Sequence, residues 1–382
     1  MNKSVDVGVR SFFSAAEERN ERWRELHRVA KAMAAGGGQA QNQEAKALLT
    51  QLAPFEDLCA YPGPSLMARV NQRLKEGDGA GLAQLTQRIS ISLLSNSYRD
   101  DAQAWKSDKE DEEPHLPAVL PPSIGRGQAR KPYCEVLVVT PGERSTWEAT
   151  REGMRKLRRD GDQFVIEPVV VGSFEDAVLA LLVNYNIQAV VMFDGFGYAS
   201  QNPLPDLREL VGAYLPQAST ARDGDLAMLL SRALHAIRPE LDVYLSTDRD
   251  VAKLAGADEA AGVRRVFYAL EEMLELHLAI LEGINDRYET PYFDNLKKYA
   301  QRPIGTFHAL PIARGKSIFK SNWIRDMGEF YGANLFLAES CATTGGLDSL
   351  LEPTGNIKMA QDKAARAFGG DRTYLVTNGT ST

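Results

Sequence analysis

The sequence predicts an α/β protein that begins with a helical region and continues into a parallel sheet. Residues 1–99 show helical apolar spacing without strand-like runs, and residues 100–131 are acidic and then rich in proline and glycine. From residue 132 to 262, short apolar runs alternate with helical segments. Strands that alternate with helices form a doubly wound parallel sheet. We therefore expect a helical extension, a linker and an α/β domain.

The N-terminal region is expected to form a small layer of helices. Apolar residues recur at helical spacing from about Ser4 to Ala35, where Gly36-Gly-Gly38 interrupts the pattern. Further repeats predict helices at about 42–53, 64–76 and 80–97. The arginines of the first helix alternate with glutamates. We interpret them as i,i+4 ion pairs on a solvated face rather than as a basic binding surface.

Four strands are expected in the α/β region, at 134–140, 164–171, 189–194 and 243–246. Helices are expected between them, at about 145–159, 174–185 and 223–237. Pro168 is expected to interrupt the second strand, since proline has no N–H to donate to a strand ladder. Ser173 precedes Glu175 and Asp176, which predicts a helix cap.

Asp194 ends the third predicted strand, where open α/β sheets bind ligands. A phospho-accepting receiver domain would use an aspartate there, together with an acidic pair after its first strand that holds Mg²⁺. Thr140-Pro-Gly142 stands at that place, which disfavours the receiver interpretation. Gly142 and Gly172 do not form a GxGxxG loop, so nucleotide binding is not supported either.

Residues 263–305 are expected to form a helical connector. An apolar stripe extends from Arg264 to about Ala300. His277 lies on this stripe, and we expect a hydrogen-bonded interface histidine rather than a catalytic one. His115 lies among the prolines of the linker with no neighbouring ligand residues, so no metal site is predicted there.

Composition excludes several classes of protein. The net charge of −7 and the pI of about 5.5 argue against sequence-independent nucleic-acid binding. The three cysteines are far apart and odd in number, which disfavours a disulfide framework or a metal site and favours a reducing cytoplasm. No apolar segment has the length of a membrane span, and the N-terminus lacks a signal-peptide core.

The last residues, Asp371–Thr382, have the pattern of a phosphate-binding turn. A strand-like run, Thr373–Val376, leads into Asn378-Gly379 and then into the hydroxyl cluster Thr380, Ser381 and Thr382. Backbone N–H groups at a glycine turn, together with hydroxyls, can hold a phosphate dianion. A Ser/Thr helix cap or an ordinary turn is the other interpretation of the same residues.

Four segments of the C-terminal part have the pattern of one family. They are Glu329–Phe336, Gly346–Ile357, Ala360–Gly370 and Asp371–Thr382. Together they resemble the Orn/Lys/Arg family of PLP-dependent basic amino-acid decarboxylases, from about Thr306 to Thr382. The resemblance implies that 132–262 is a flavodoxin- or receiver-like wing domain used in assembly. It implies that 306–382 begins an aminotransferase-like (fold type I) PLP domain.

The resemblance also implies a cofactor, a substrate and partners. Thr380, Ser381 and Thr382 would contact the phosphate of pyridoxal 5′-phosphate. The substrate would be lysine, ornithine or arginine, the products CO₂ and a polyamine-type amine, and the enzyme a homodimer or a larger homo-oligomer. The alternative, from another class, is a non-catalytic assembly or regulatory module built on the wing domain.

The family's remaining catalytic groups are expected beyond Thr382. They are the lysine that bonds to the cofactor, the aspartate on its ring nitrogen and the stacking histidine. Lys358 and Lys363 are at helical spacing in an exposed-looking segment and do not replace that lysine. The chain is therefore expected to be the N-terminal part of a longer enzyme, with no catalytic residue of its own, no metal site and no decarboxylase activity alone.

Two departures from the family pattern bear on activity. The family's Thr-Pro-Gly-His is replaced by Thr306-Phe-His-Ala309, and Pro353 stands where a histidine is expected. The change at Phe307 leaves the role of His308 open. Glu339 and Ser340 are expected to border the active-site entrance. The departures indicate either an altered substrate or a homologue that no longer catalyses.

Overall fold

A computed structural model shows two compact units, Met1–Asn285 and Asp286–Thr382. The structure describes residues 2–99, 131–202, 223–250, 254, 260, 262–268, 273–303, 313–338, 347–377 and 379. Side chains are described from residue 16 onward, apart from those of 223–225. The predicted linker, 100–131, lies outside the described residues except for Lys131.

The first unit begins with a layer of four helices, as predicted. They are α1 (Asn2–Ala34), α2 (Gln39–Glu56), α3 (Gly63–Glu76) and α4 (Gly79–Ser95), followed by a 3-10 turn at Ser97–Arg99. Gly77 ends α3 in the left-handed conformation, at φ 72°, and the Asp78 carboxylate caps α4 by accepting from the Gly81 N–H at 2.8 Å. The layer encloses its own core, which includes Trp23, Leu26, Leu52, Leu82 and Ile89.

The charges of α1 form the ion pairs expected from the sequence. Arg28 lies 2.5 Å from Glu25 on the exposed face, and Arg22 contacts Glu18 one turn away. Arg19 instead donates two hydrogen bonds to the buried Glu56, at 2.7 and 2.6 Å. This pair joins α1 to the end of α2.

The sheet of the first unit has five parallel strands in the order β2-β1-β3-β4-β5. They are β1 (Tyr133–Val139), β2 (Val165–Val171), β3 (Ile187–Phe193), β4 (Asp242–Thr247) and β5 (Val263–Tyr268). The predicted parallel α/β architecture is confirmed. The strand order reverses direction between β1 and β3, which is the arrangement of a doubly wound sheet.

Two expectations about the strands are wrong. The segment from Arg264, expected to be helical, begins with β5, in which Arg264 and Arg265 are exposed at the edge of the sheet. Pro168 does not interrupt β2, because it lies in continuous register opposite Val136. β2 is an edge strand, so the backbone groups on its outer side face no other strand. The missing N–H of Pro168 on that side therefore costs the sheet no hydrogen bond.

Helices cover both faces of the sheet. They are α5 (Arg144–Lys156), α6 (Phe174–Val183), α7 (Asp223–Ile237) and α8 (Met273–Tyr288). α6 and α7 pack with Leu137 and Val139 on one face, together with Phe55 and Leu58 from the helical layer. α5 and α8 pack on the other face. The predicted cap of α6 is confirmed, since Ser173 Oγ accepts from the Asp176 N–H at 3.1 Å.

His277 has the structural role expected for it. Its Nε2 lies 2.9 Å from the Asp162 carboxylate, and both side chains are buried. Burial alone would raise the pKa of Asp162, but hydrogen bonds from His277 and Arg159 lower it below its ordinary value. The pair holds α8 against the loop before β2.

The second unit contains short helices and a longer one near its end. They are α9 (Pro291–Gln301), α10 (Lys316–Phe319), α11 (Arg325–Tyr331), α12 (Ala333–Leu337) and α13 (Asn356–Phe368), with a 3-10 turn at Ala313–Gly315. The expected strand at Thr373–Val376 does not form, and Tyr374 is 70% exposed. No strand among the described residues pairs with this segment.

The described helices give no indication of a membrane span: none of them combines the length and the apolar character that crossing a bilayer requires.

Candidate functional site

The end of α13 leads directly to the predicted phosphate-binding turn. Gly369 ends the helix in the left-handed conformation, at φ 65°, and the Gly370 N–H donates to the Ala365 carbonyl at 2.9 Å. Asp371 and the residues up to Thr377 then lie exposed without regular structure, apart from the partly buried Thr373.

Gly379 is the one residue of the predicted turn that the structure describes after Thr377. Its φ of 71° is in the left-handed region that favours glycine. A Cβ atom at this position would meet no other atom within 4 Å. The backbone conformation therefore favours glycine here, whereas steric crowding does not require it. A left-handed glycine of this kind fits a turn that presents backbone N–H groups.

Several predicted site residues lie outside the described part of the chain. They are Thr380, Ser381 and Thr382 of the predicted cup, Phe307 and His308, Glu339 and Ser340, and His115. Their proposed roles remain predictions.

Asp348 organises the turn before α13, and sequence analysis did not identify it. Its carboxylate accepts from the backbone N–H groups of Thr354 at 3.1 Å, Gly355 at 2.8 Å and Ile357 at 3.0 Å. Burial alone would raise the pKa of Asp348, but the backbone hydrogen bonds hold it below its ordinary value. The sequence signal for this role was an aspartate shortly before the start of a helix, followed by Pro353 and Gly355.

We expect Asp348→Asn to destabilise the second unit by about 1–2 kcal/mol at pH 7, because an amide cannot accept all of these N–H bonds. A carboxylate with a lowered folded-state pKa contributes stability above its unfolded pKa, and this contribution is lost as the pH falls through the folded pKa. The difference between wild type and variant should therefore shrink below about pH 4.

Urea unfolding of both proteins between pH 3 and 7 measures this effect. Asp371→Asn, at an exposed aspartate of the same unit, is the matched control and should change stability little. A difference between wild type and Asp348→Asn that stays constant down to pH 3 would contradict the assignment.

The two lysines of α13 have ordinary structural partners. Lys358 forms an exposed i,i+4 ion pair with Asp362. Lys363 Nζ donates to the Glu289 carboxylate at 2.9 Å and to the Asp286 carbonyl at 2.6 Å. These contacts agree with the expectation that neither residue is a cofactor-bonding lysine.

Asp194 lies at the carboxyl end of β3, as predicted. Its carboxylate accepts from Arg249 at 3.1 and 3.2 Å and from the Thr247 hydroxyl. Thr140 follows β1, and no group of three or more metal-ligating side chains occurs among the described residues. An arginine therefore neutralises Asp194 where a receiver would hold Mg²⁺, which argues against phosphorylation at this position.

Two adjacent cavities lie at the carboxyl edge of the sheet in the first unit. The larger, of about 300 Å³, lies between α2, α3 and α5. The smaller, of about 230 Å³, is lined by the loops after β1, β2 and β3, including Gly142, Gly172 and Gly195. Trp147 and Asp176 line both cavities. Sequence analysis did not identify these cavities as sites.

Comparison with known proteins identifies the C-terminal part of the chain. Residues 290–382 match the family model of the Orn/Lys/Arg decarboxylase major domain. The constitutive ornithine decarboxylase of Escherichia coli (strain K12) is 33% identical over 173 residues, which are 45% of this chain and 22% of that protein. Residues 290–382 are therefore the part of the chain that is similar to the Orn/Lys/Arg decarboxylase family.

Two further decarboxylases are similar to the chain over shorter segments. Arginine decarboxylase of Bacillus subtilis (strain 168) is 37% identical over 95 residues, 25% of this chain and 18% of that protein. Lysine decarboxylase LdcA of Pseudomonas aeruginosa is 26% identical over 160 residues, 40% of this chain and 21% of that protein. The matched segments thus span about a fifth of the length of these relatives.

Two solved lysine decarboxylase structures are also similar to the chain. The constitutive lysine decarboxylase of E. coli has a TM-score of 0.33 and 20% identity, and covers 65% of this chain and 31% of its own. Lysine decarboxylase LdcF of Francisella novicida has a TM-score of 0.34 and 16% identity, with the same coverage of 65% and 31%.

Proposed function

We propose that this chain is part of a PLP-dependent decarboxylase that acts on a basic amino acid, namely lysine, ornithine or arginine. The match of residues 290–382 to the major domain of the family carries this proposal. That range ends with the sequence Asn-Gly-Thr-Ser-Thr at 378–382, which is predicted to form a turn. The relatives named above are an ornithine, a lysine and an arginine decarboxylase, so each of the three amino acids is a candidate substrate.

The cofactor site of this proposal is the hydroxyl cluster Thr380, Ser381 and Thr382. The left-handed backbone of Gly379 supports this assignment, because such a turn directs backbone N–H groups toward an anion. The three hydroxyls would donate to the phosphate and fix the position of the cofactor. Pyridoxal phosphate, when bound, accepts the electrons left behind when CO₂ departs.

The domain organisation is part of the proposal. Residues 132–262, together with β5 (Val263–Tyr268), would be a flavodoxin-like wing domain, which the strand order 2-1-3-4-5 supports. The remaining residues up to 305 would connect it to residues 306–382, the start of an aminotransferase-like domain. The widely separated cysteines support a cytoplasmic location.

We also propose that the protein is a homo-oligomer. The second unit exposes large apolar side chains, of which Trp323 is 93%, Phe330 82% and Leu351 98% exposed. Apolar surface of this kind is usually covered by protein. A mass above 42.1 kDa for the purified chain in light scattering is expected, and a strictly monomeric mass would contradict self-association of this chain.

The activity is tested with the native protein purified from its source. Release of labelled CO₂ from carboxyl-labelled lysine, ornithine or arginine, with the matching diamine or agmatine as product, is the expected result. The same assay on the 382-residue chain alone is expected to give no release, because Lys358 and Lys363 have acidic partners and neither is assigned the bond to the cofactor. Absence of release by the native protein with all three substrates would contradict the proposed function.

A further inference from the structure

The C-terminal end of α8 is capped by a side chain from α13. α8 ends at Tyr288, so the Asp286 carbonyl belongs to its last turn, where carbonyl groups have no N–H partner within the helix. Lys363 Nζ donates to this carbonyl at 2.6 Å, to the Glu289 carbonyl at 3.4 Å and to the Glu289 carboxylate at 2.9 Å. A cation is favourable at this end of a helix because of the helix dipole.

Lys363 differs in this respect from the other lysine of α13. An ammonium group has three N–H donors, and Lys363 has three acceptors, all of them outside α13. Its side chain is 24% exposed. Lys358 instead pairs with Asp362 within the same helix, and its side chain is 51% exposed. Lys363 therefore joins two helices, whereas Lys358 does not.

Lys363 supplies the polar link of the second half of α13. Asp348 holds the first turn of the helix, where it accepts from the Ile357 N–H at 3.0 Å. Within residues 362–368, Lys363 is the one residue whose side chain forms a hydrogen bond to a described residue outside α13. Ala365 adds buried apolar packing in the same half. The position of the end of α13 therefore depends on Lys363 and on this packing.

The chain that follows α13 has few contacts of its own. Residues 371–377 are exposed apart from the partly buried Thr373. None of their side chains forms a hydrogen bond or an ion pair with the described part of the chain. This segment leads to the left-handed Gly379 and to the predicted phosphate-binding turn. Because side-chain contacts do not fix the segment, we expect the placement of the turn to follow the end of α13.

We propose that Lys363 is a positioning residue for the phosphate of the cofactor, because it fixes the helix from which the phosphate-binding turn extends. The inference rests on the proposed function, in which Thr380, Ser381 and Thr382 donate to that phosphate. Donors that are held in place before an anion arrives bind it more tightly, since ordering them on binding costs affinity. In this role Lys363 acts through α13 and not through contact with the cofactor.

Binding of pyridoxine 5′-phosphate and of pyridoxine to the 382-residue chain tests the proposal. Lys363→Met is expected to weaken binding of the phosphate form about fivefold and to leave pyridoxine binding unchanged. A loss of folded protein alone would weaken both compounds equally. Lys363→Arg should restore most of the lost affinity, because a guanidinium group also donates to carbonyl and carboxylate oxygens. Lys358→Met is the matched control on the same helix and should bind both compounds like wild type.

A second variant keeps the test decisive if Lys363→Met does not fold, which urea unfolding of each variant establishes. Glu289→Gln removes the acceptor charge but keeps the backbone carbonyls, and it should weaken the phosphate form about twofold. The positioning role is overturned if folded Lys363→Met, or Glu289→Gln in its place, binds the phosphate form like wild type, or if Lys358→Met shows an equal loss. An equal loss for both compounds would also overturn it.

Failure of the proposed function gives a different result. A wild-type chain that binds the two compounds equally would overturn the phosphate site itself, and this inference with it, before any variant is measured.

Discussion

Glu135→Ala is expected to destabilise the first unit by about 3–5 kcal/mol, because it removes the acceptor for several buried donors at once. The Glu135 side chain projects from β1 and is 1% exposed. Its carboxylate accepts from the Ala60 N–H at 3.0 Å, the Tyr133 hydroxyl at 2.9 Å and Asn184 Nδ2 at 2.7 Å. Asn186 Nδ2 adds a fourth contact at 3.3 Å.

This carboxylate joins the helical layer to the sheet. Ala60 follows α2, whereas Tyr133 and Asn184 belong to the α/β part of the unit. Burial and the neighbouring Glu135 and Glu167 raise the pKa of Tyr133 well above its ordinary value, so its hydroxyl remains a donor. Loss of the carboxylate would leave donors from both parts unpaired.

Chemical denaturation followed by circular dichroism measures the effect. Glu135→Gln, which keeps one acceptor oxygen, should lose less stability than Glu135→Ala. Glu152→Ala is the control, since Glu152 forms an exposed pair with Arg155 and should cost at most about 0.5 kcal/mol. A loss below about 1 kcal/mol for Glu135→Ala would show that the network does not hold the two parts together.

Arg314→Met is expected to destabilise the second unit by about 2–4 kcal/mol. The buried guanidinium of Arg314 donates to the carbonyls of Tyr299 at 3.0 Å, Ala300 at 3.1 Å and Arg302 at 3.0 Å. A further bond reaches the Leu337 carbonyl at 3.3 Å, and the group lies 4.9 Å from the Tyr299 ring centre. It therefore satisfies the carbonyls at the end of α9, and its positive charge interacts favourably with the helix dipole there.

The variant Arg314→Lys separates the effect of the positive charge from the effect of the guanidinium's shape. A lysine keeps the positive charge but cannot reproduce the planar fork, so it should recover only part of the stability. Amide hydrogen exchange in the last turn of α9 should become faster in both variants. Arg325→Met is the control, because Arg325 forms an exposed pair with Glu329. Unchanged exchange in Arg314→Met would contradict the assigned role.

Sequence patterns predicted the elements whose signal is local. The first four helices, the cap at Ser173 and four of the strands follow from apolar spacing and turn residues. β5 was missed because Val263–Tyr268 contains two adjacent arginines, Arg264 and Arg265, and continues into an apolar stripe that also fits a helix. Its pairing with β4 is a tertiary contact that no local pattern contains.

The polar groups that organise the chain were harder to predict. Glu135 lies in an apolar run, where a single acidic residue was the only sign of a polar network. Its partners other than Tyr133 are 49–75 residues away in sequence. Arg314 binds backbone carbonyls, which carry no sequence signature. Asp348 binds backbone N–H groups, and its place before a proline, a glycine and a helix was the one local signal of this role. The cavity at Trp147 combines α2, α3 and α5, so it could be recognised only after folding.

Binding of the cofactor's phosphate by the C-terminal turn is the central claim, and a comparison of pyridoxine 5′-phosphate with pyridoxine tests it most directly. Neither compound has the aldehyde that would react with surface lysines. The 382-residue chain should bind the phosphate form at least about tenfold more tightly, and inorganic phosphate should compete. The triple variant Thr380→Ala, Ser381→Ala, Thr382→Ala should lose this preference, whereas Thr373→Ala should retain it. Equal affinity for the two compounds in the wild-type chain would contradict the assignment of the phosphate site.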